Sequence, residues 1–120
     1  MATVNATTDR NSLNGAVLVT WPTMGTADTG TAFPIPYGAN ITVQVSGTFG
    51  GATVVLQGSN DGTNWDTLGA VVGTNTSFTA AGTRRVAEDP GYIRATTSGG
   101  TGTSVNVVVA LKAMYDRKGY

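Results

Sequence analysis

The chain contains neither cysteine nor histidine. Without thiols there is no disulfide framework and no thiolate chemistry, and the redox compartment goes unread. Without imidazole the commonest general base, the usual partner of a serine nucleophile and the commonest transition-metal ligand are all missing. Charge is also scarce: seven basic and seven acidic residues make up 12% of the 120 and cancel. So thin a charge builds no field that draws in a polyanion or an anionic bilayer, and neither nucleic acid nor membrane is expected as a partner. Long apolar runs are lacking too. The most apolar stretch, "VNVVVALKAMY", is too short to span a bilayer and carries Lys112. The start, "MATVNATTDRNSLNG", has no basic segment followed by an apolar run, so it does not read as a secretory signal. Synthesis in the cytoplasm without export is expected.

What remains is rich in glycine, with 17 residues, and in threonine. Valine, isoleucine and the aromatics recur in short alternating runs that disordered chains lack. Threonine suits the wet face of a strand and glycine the tight turns, so the composition predicts an all-β fold. A chain of this length forms one domain and hides roughly two-thirds of its unfolded surface on folding.

Residues 1–14 are polar and aperiodic, which predicts a flexible N-terminal arm; residues 15–115 form the β domain and residues 116–120 a charged tail. In "GAVLVTWP" a strand apolar on both faces is expected to end at Pro22. "FPIPYG" places Phe33, Ile35 and Tyr37 on one face while Pro34 and Pro36 remove donors from the same edge, predicting an edge strand. "NITVQVSG" points Ile41, Val43 and Val45 inward, and with "ATVVLQG" across "TFGG" it reads as a hairpin. "TNWDTLGAVV" reads as a further strand, and "NTSFTAAGTRRVAEDPG" as a long connection holding a short strand near residues 77–79. "YIRATT" and the run from Thr103 flank "SGGTG" as a second hairpin, with Val105, Val107, Val109 and Leu111 on the core face. About seven or eight strands with turn signals every ~8–12 residues predict a two-sheet antiparallel β-sandwich or jelly roll.

The most pointed short word is "SNDGTNWD". Calcium requires about six to eight oxygens, and Asn60, Asp61, Asn64 and Asp66 around Gly62 form a partial set without the glutamate that closes an EF-hand. Asp-Gly is also among the strongest hairpin signals, with Trp65 then packing on the sheet, and a turn explains more of the word. Trp65 and Trp21 as a sugar platform, and Asp61 with Asp66 as a glycosidase pair, are further readings. Core or interface suits a lone tryptophan better, and two carboxylates on a hairpin tip make no cleft. Arg84, Arg85, Glu88 and Asp89 form a mixed-charge cluster that is either a solvated loop or an interface docking by ion pairs.

From residue 40 to residue 112 the order "SNDGTNW", "FTAAG", "PGYIR" and "GGTG" resembles small structural proteins of tailed bacteriophages, some of them capsid cement or decoration proteins. The resemblance implies a β-sandwich or jelly-roll virion protein on the capsid exterior, bound to the major capsid protein and to copies of itself, trimer before dimer. It implies no enzymatic activity, no cofactor and no metal. The arm, the tail and the mixed-charge cluster are the parts expected to touch neighbours, so the expected contact residues are Asp9, Arg10, Arg84, Arg85, Asp116, Arg117, Lys118 and Tyr120. The alternative is a carbohydrate-binding or tail-associated adhesion module of a phage particle.

Overall fold

The computed structural model describes residues 3–9, 16–35, 39–71 and 75–113. Expectations for Arg10, Pro36, Tyr37, Asp116, Arg117, Lys118 and Tyr120 fall outside the described residues. All regular structure among those described is strand: β1 (Thr3–Val4), β2 (Thr7–Asp9), β3 (Ala16–Met24), β4 (Thr29–Gly30), β5 (Phe33–Pro34), β6 (Ala39–Thr48), β7 (Thr53–Ser59), β8 (Asp66–Thr67), β9 (Ser77–Phe78), β10 (Gly82–Arg85), β11 (Tyr92–Ser98) and β12 (Ser104–Ala113). One sheet runs β1-β4-β11-β7-β8, with β5 also on β11 and β9 also on β7; the other runs β10-β6-β12-β3-β2.

The all-β expectation holds, and the two sheets pack on each other by the alternation already visible in the chain. Val17, Val19 and Trp21 of β3, Ile41, Val43 and Val45 of β6, and Val105, Val107, Val109 and Leu111 of β12 are buried. They belong to one cluster with Val54 and Leu56 of β7 and Ile93 and Ala95 of β11. Because side chains alternate with period two, each strand buries one face and wets the other.

Neither expected hairpin exists. β6 pairs with β12 and β10, whereas β7 lies in the opposite sheet with β11, β8 and β9. β11 and β12 are likewise in different sheets. "TFGG" and "SGGTG" are therefore arches that carry the chain from one sheet to the other, and they bond to each other: the Thr101 N–H donates to Gly50 O and the Thr103 hydroxyl to Phe49 O. An arch and a hairpin ask for the same glycine-rich turn between two alternating runs. Their difference, which neighbour receives the backbone bonds, has no local signal.

The pairing is nested. β3 pairs with β12, β4 and β5 with β11, β6 with β10, and β7 with β8 and β9. The chain thus behaves as one long hairpin, rolled so that successive pairs fall in alternate sheets. β10 occupies "GTRR", inside the expected long connection, because Gly82 and Arg84 register against Val45 and Val43 of β6. β3 continues through Pro22 to Met24. A register shift between Val105 and Val107 accommodates it, with Thr23 at φ 52 and its N–H donating to Asn106 Oδ1 at 2.9 Å. β2 covers β3 only as far as Thr20, so the donor missing at Pro22 deprives no strand.

The N-terminal segment departs most from expectation. Over residues 3–9 it is no free arm: β1 pairs in parallel with β4, and β2 pairs antiparallel with β3. Crossing from one sheet to the other, it straps one open side of the sandwich. Val4 and Ala6 pack against the core, and Thr31 receives them by donating its N–H to Val4 O and accepting the Ala6 N–H on Oγ1. Two small apolar residues in a polar segment give no periodic signal, yet they suffice where two sheet edges already offer unpaired backbone.

Two outcomes test this arrangement. Deleting residues 2–12 should cost roughly 1–3 kcal/mol from lost burial and backbone bonds, seen as a Tm fall on the order of 5–15 °C. Gly30→Ala should be harsher than an ordinary surface change: a Cβ there would lie 2.5 Å from Trp21 Cδ1 and 2.9 Å from Ala95 O. A loss of about 1–3 kcal/mol by chemical denaturation is expected.

Candidate interaction surface

The "SNDGTNWD" word is the hairpin between β7 and β8, with Gly58 opposite Asp66 and Gln57 opposite Thr67. Its centre is the Asp61 carboxylate. Oδ1 accepts the Ser59 hydroxyl at 2.9 Å, the Thr63 N–H at 2.8 Å and the Asn64 N–H at 2.9 Å, and Oδ2 accepts Asn64 Nδ2 at 2.8 Å. These donors, led by the Asn64 and Thr63 backbone, hold the carboxyl far below the usual carboxylate range. Gly62, at φ +78, makes the bend against the Tyr92 ring, a conformation that costs a residue with a side chain. Asn60 ties the tip to the neighbouring loop by accepting the Gly91 N–H at 3.0 Å. Both Asp61 oxygens are thus directed at protein donors, the arrangement of a turn.

Beside the tip lies an open notch of about 300 Å³ whose lining includes Ser59, Asn60, Asn64, Asp66, Glu88 and Asp89. Glu88 is already engaged, accepting the Gly69 N–H on Oε1. Among the described residues no group of three or more acidic side chains is placed to hold a metal ion.

Two arginines stack on aromatic rings, with opposite consequences. Arg84 faces inward at the sandwich's second open side: its guanidinium sits 4.7 Å from the Phe78 ring centroid and donates through Nη1 to Asn75 O at 2.9 Å and Ser77 O at 2.8 Å. It latches β10 of one sheet to β9 of the other. Arg94 lies on the outer face, because Ile93 and Ala95 on either side of it point into the core. Its guanidinium is 4.3 Å from the Trp65 ring, and its Nε–H donates to Gln57 Oε1 at 2.9 Å. Burial lowers its pKa.

The expected contact residues are dispersed. Asp9 is half-buried in β2 opposite Leu18, Arg84 is spent inside the domain, and Arg85 is exposed on β10, where Nη2 donates to Asn40 Oδ1 at 3.0 Å. Trp21, one of the two candidate sugar-stacking rings, is wholly buried. Trp65 is half-buried. Arg94 and Gln57 were missed, although a lone cation at an outward position of "YIRATT" is the signal that finds it.

The Asp61 network makes a pH prediction. A depressed carboxyl contributes stability that is complete above its unfolded pKa, about 4, and is lost as pH falls through the folded value. The stability gap between the parent and Asp61→Ala, measured by urea unfolding, should be full at pH 7 and shrink steadily below about pH 4. Added calcium should leave the Tm of both unchanged.

Comparison of the chain with protein-family models, curated proteins and solved structures returns no match, so fold and surface chemistry carry the functional reading.

Proposed function

We propose that the protein is a non-enzymatic structural component of a tailed-phage particle, binding the outer capsid surface and stabilising the head. The observation that carries this reading is a sandwich latched at both open sides, by the β1–β2 strap at one and by Arg84 at the other. The principal polar side chains are spent on holding turns and strands together, as Asp61, Thr76 and Thr97 illustrate. Such a body transmits load. β12 lies between β6 and β3, matched residue for residue to β6 from Ser104↔Thr48 to Ala113↔Ala39, so a pull along these strands is shared by many ladder bonds at once.

We read the nested pairing as a jelly roll, a winding used by capsid and lectin domains alike, so winding alone does not select the function. The motif order from residue 40 to residue 112 supports the capsid side. On this reading the partners are the major capsid protein and further copies of the chain, trimer before dimer. The half-buried Trp65 and the notch at the β7–β8 tip, lined by Asn60 and Asn64 with Asp66, Glu88 and Asp89, favour a second reading, a glycan-binding module of the particle.

Heads assembled without this protein, then mixed with the full chain, should bind it saturably and break at a temperature several degrees higher. An electron-microscopy map should place it on the outer shell. Absence of binding to heads, or density on the tail alone, overturns the capsid reading; glycan-array binding would then promote the second.

A further inference from the structure

The Trp65–Arg94 pair is held in a fixed arrangement on the outer face of the sheet. β11 presents Arg94 directly across from Gln57 of β7, and Gln57 in turn lies across from Thr67 of β8. The Gln57 amide fixes Nε, and the Trp65 ring fixes the plane of the guanidinium. An arginine is thus frozen in one orientation on an outward sheet face, having already given up the rotamer freedom that binding otherwise removes. Its Nη donors have no acceptor among the described residues. Arg84 provides the contrast within the same molecule, since its equivalent stack ends on two backbone carbonyls.

We infer that Arg94, stacked on Trp65 and oriented by Gln57, is the anchor of a protein-docking face and receives an aspartate or glutamate side chain of the partner through its unpaired Nη donors. A carboxylate matches the guanidinium fork two bonds at a time, and tryptophan and arginine are the residues on which binding energy concentrates in protein interfaces. Val55 and Thr96, half-buried on the same outward face, supply a flat surround able to exclude water from the contact. A nucleic acid fits poorly. One cation stands here, the tip beside it carries the exposed carboxylates of Asp61 and Asp66, and the whole chain is neutral. A sugar fits less well than a carboxylate because one face of the indole already holds the guanidinium.

This inference rests on the capsid reading for the partner's identity but not for its chemistry, and the experiment separates the two. Full-length parent, Arg94→Gln, Arg94→Lys and Lys112→Gln, the last a neutralised exposed cation on the other sheet, are first compared by circular dichroism to establish that each is folded. In the head-binding assay Arg94→Gln should bind about 30-fold more weakly or worse, the scale of an interface hot spot. Arg94→Lys should be intermediate, since it keeps the charge and loses the fork, and Lys112→Gln should bind like the parent. If the parent binds heads and Arg94→Gln binds equally well, the anchor is overturned while the capsid reading stands. If the parent does not bind heads, the capsid reading falls, and a random-peptide library displayed against the full chain decides the anchor. Selected peptides should then share an acidic residue and lose affinity about 30-fold both on its change to the amide and against Arg94→Gln. Peptides without a common acid, peptides indifferent to Arg94, or tighter binding of a single-stranded DNA oligonucleotide would overturn it.

Discussion

The structure depends on burying Trp21. The indole is fully enclosed between the sheets, and its Nε1–H must find an acceptor there, which is Thr31 O at 2.9 Å. That one bond ties β3 of one sheet to the chain beside β4 of the other. Gly30 lies flat against the ring because no other residue leaves room. Thr31 then turns its N–H to Val4 and its hydroxyl to Ala6, so the same short segment that satisfies the tryptophan also seats the N-terminal strap. Removing the ring would leave a large void, and removing the acceptor would leave a buried donor unpaired; both faults are expensive in a core built half of valine.

The opposite side of the sandwich solves the same problem with charge. Arg84 points inward from an edge strand, a place where a charged group is tolerated only if its donors are met. Phe78 shields its face, and the Asn75 and Ser77 carbonyls accept its protons. Thr76 adds a buried cross-tie, donating toward Leu56 O and Leu68 O at the same margin. No buried side-chain nitrogen or oxygen among the described residues lacks a partner. The buried polar groups are thus spent within the domain, and the outer faces of the two sheets carry exposed ones.

Those outer faces are unequal. On the β6–β12–β3 side the outward positions carry mostly small or uncharged groups, such as Gln44, Ser46, Asn106 and Val108, with the exposed Lys112 toward the end of β12. On the β11–β7–β8 side the tip fixed by Asp61 brings Trp65 against Arg94. The turn and the stack are therefore linked: a carboxylate that organises a hairpin also sets where an aromatic ring meets a cation. Through this link a four-residue bend fixes the placement of a side-chain pair that lies outside it.

The sequence alone determined what period two can determine: the all-β class, the inward faces of β6 and β12, the bend at Asp61–Gly62, and the short strand at Ser77–Phe78. Each follows from neighbours within a few residues, through side-chain alternation or turn chemistry. Tertiary structure alone decided which strands bond to which. "TFGG" and "SGGTG" read as hairpins and are arches, because the choice lies in whether the partner strand is the next one or one rolled in from the far end of the chain. It alone seated residues 3–9, whose two apolar contacts exist only once β3 and β4 present their edges. It also separated Arg84 from Arg94, two arginines alike in the sequence, by turning one toward the carbonyls of a facing strand and the other toward solvent.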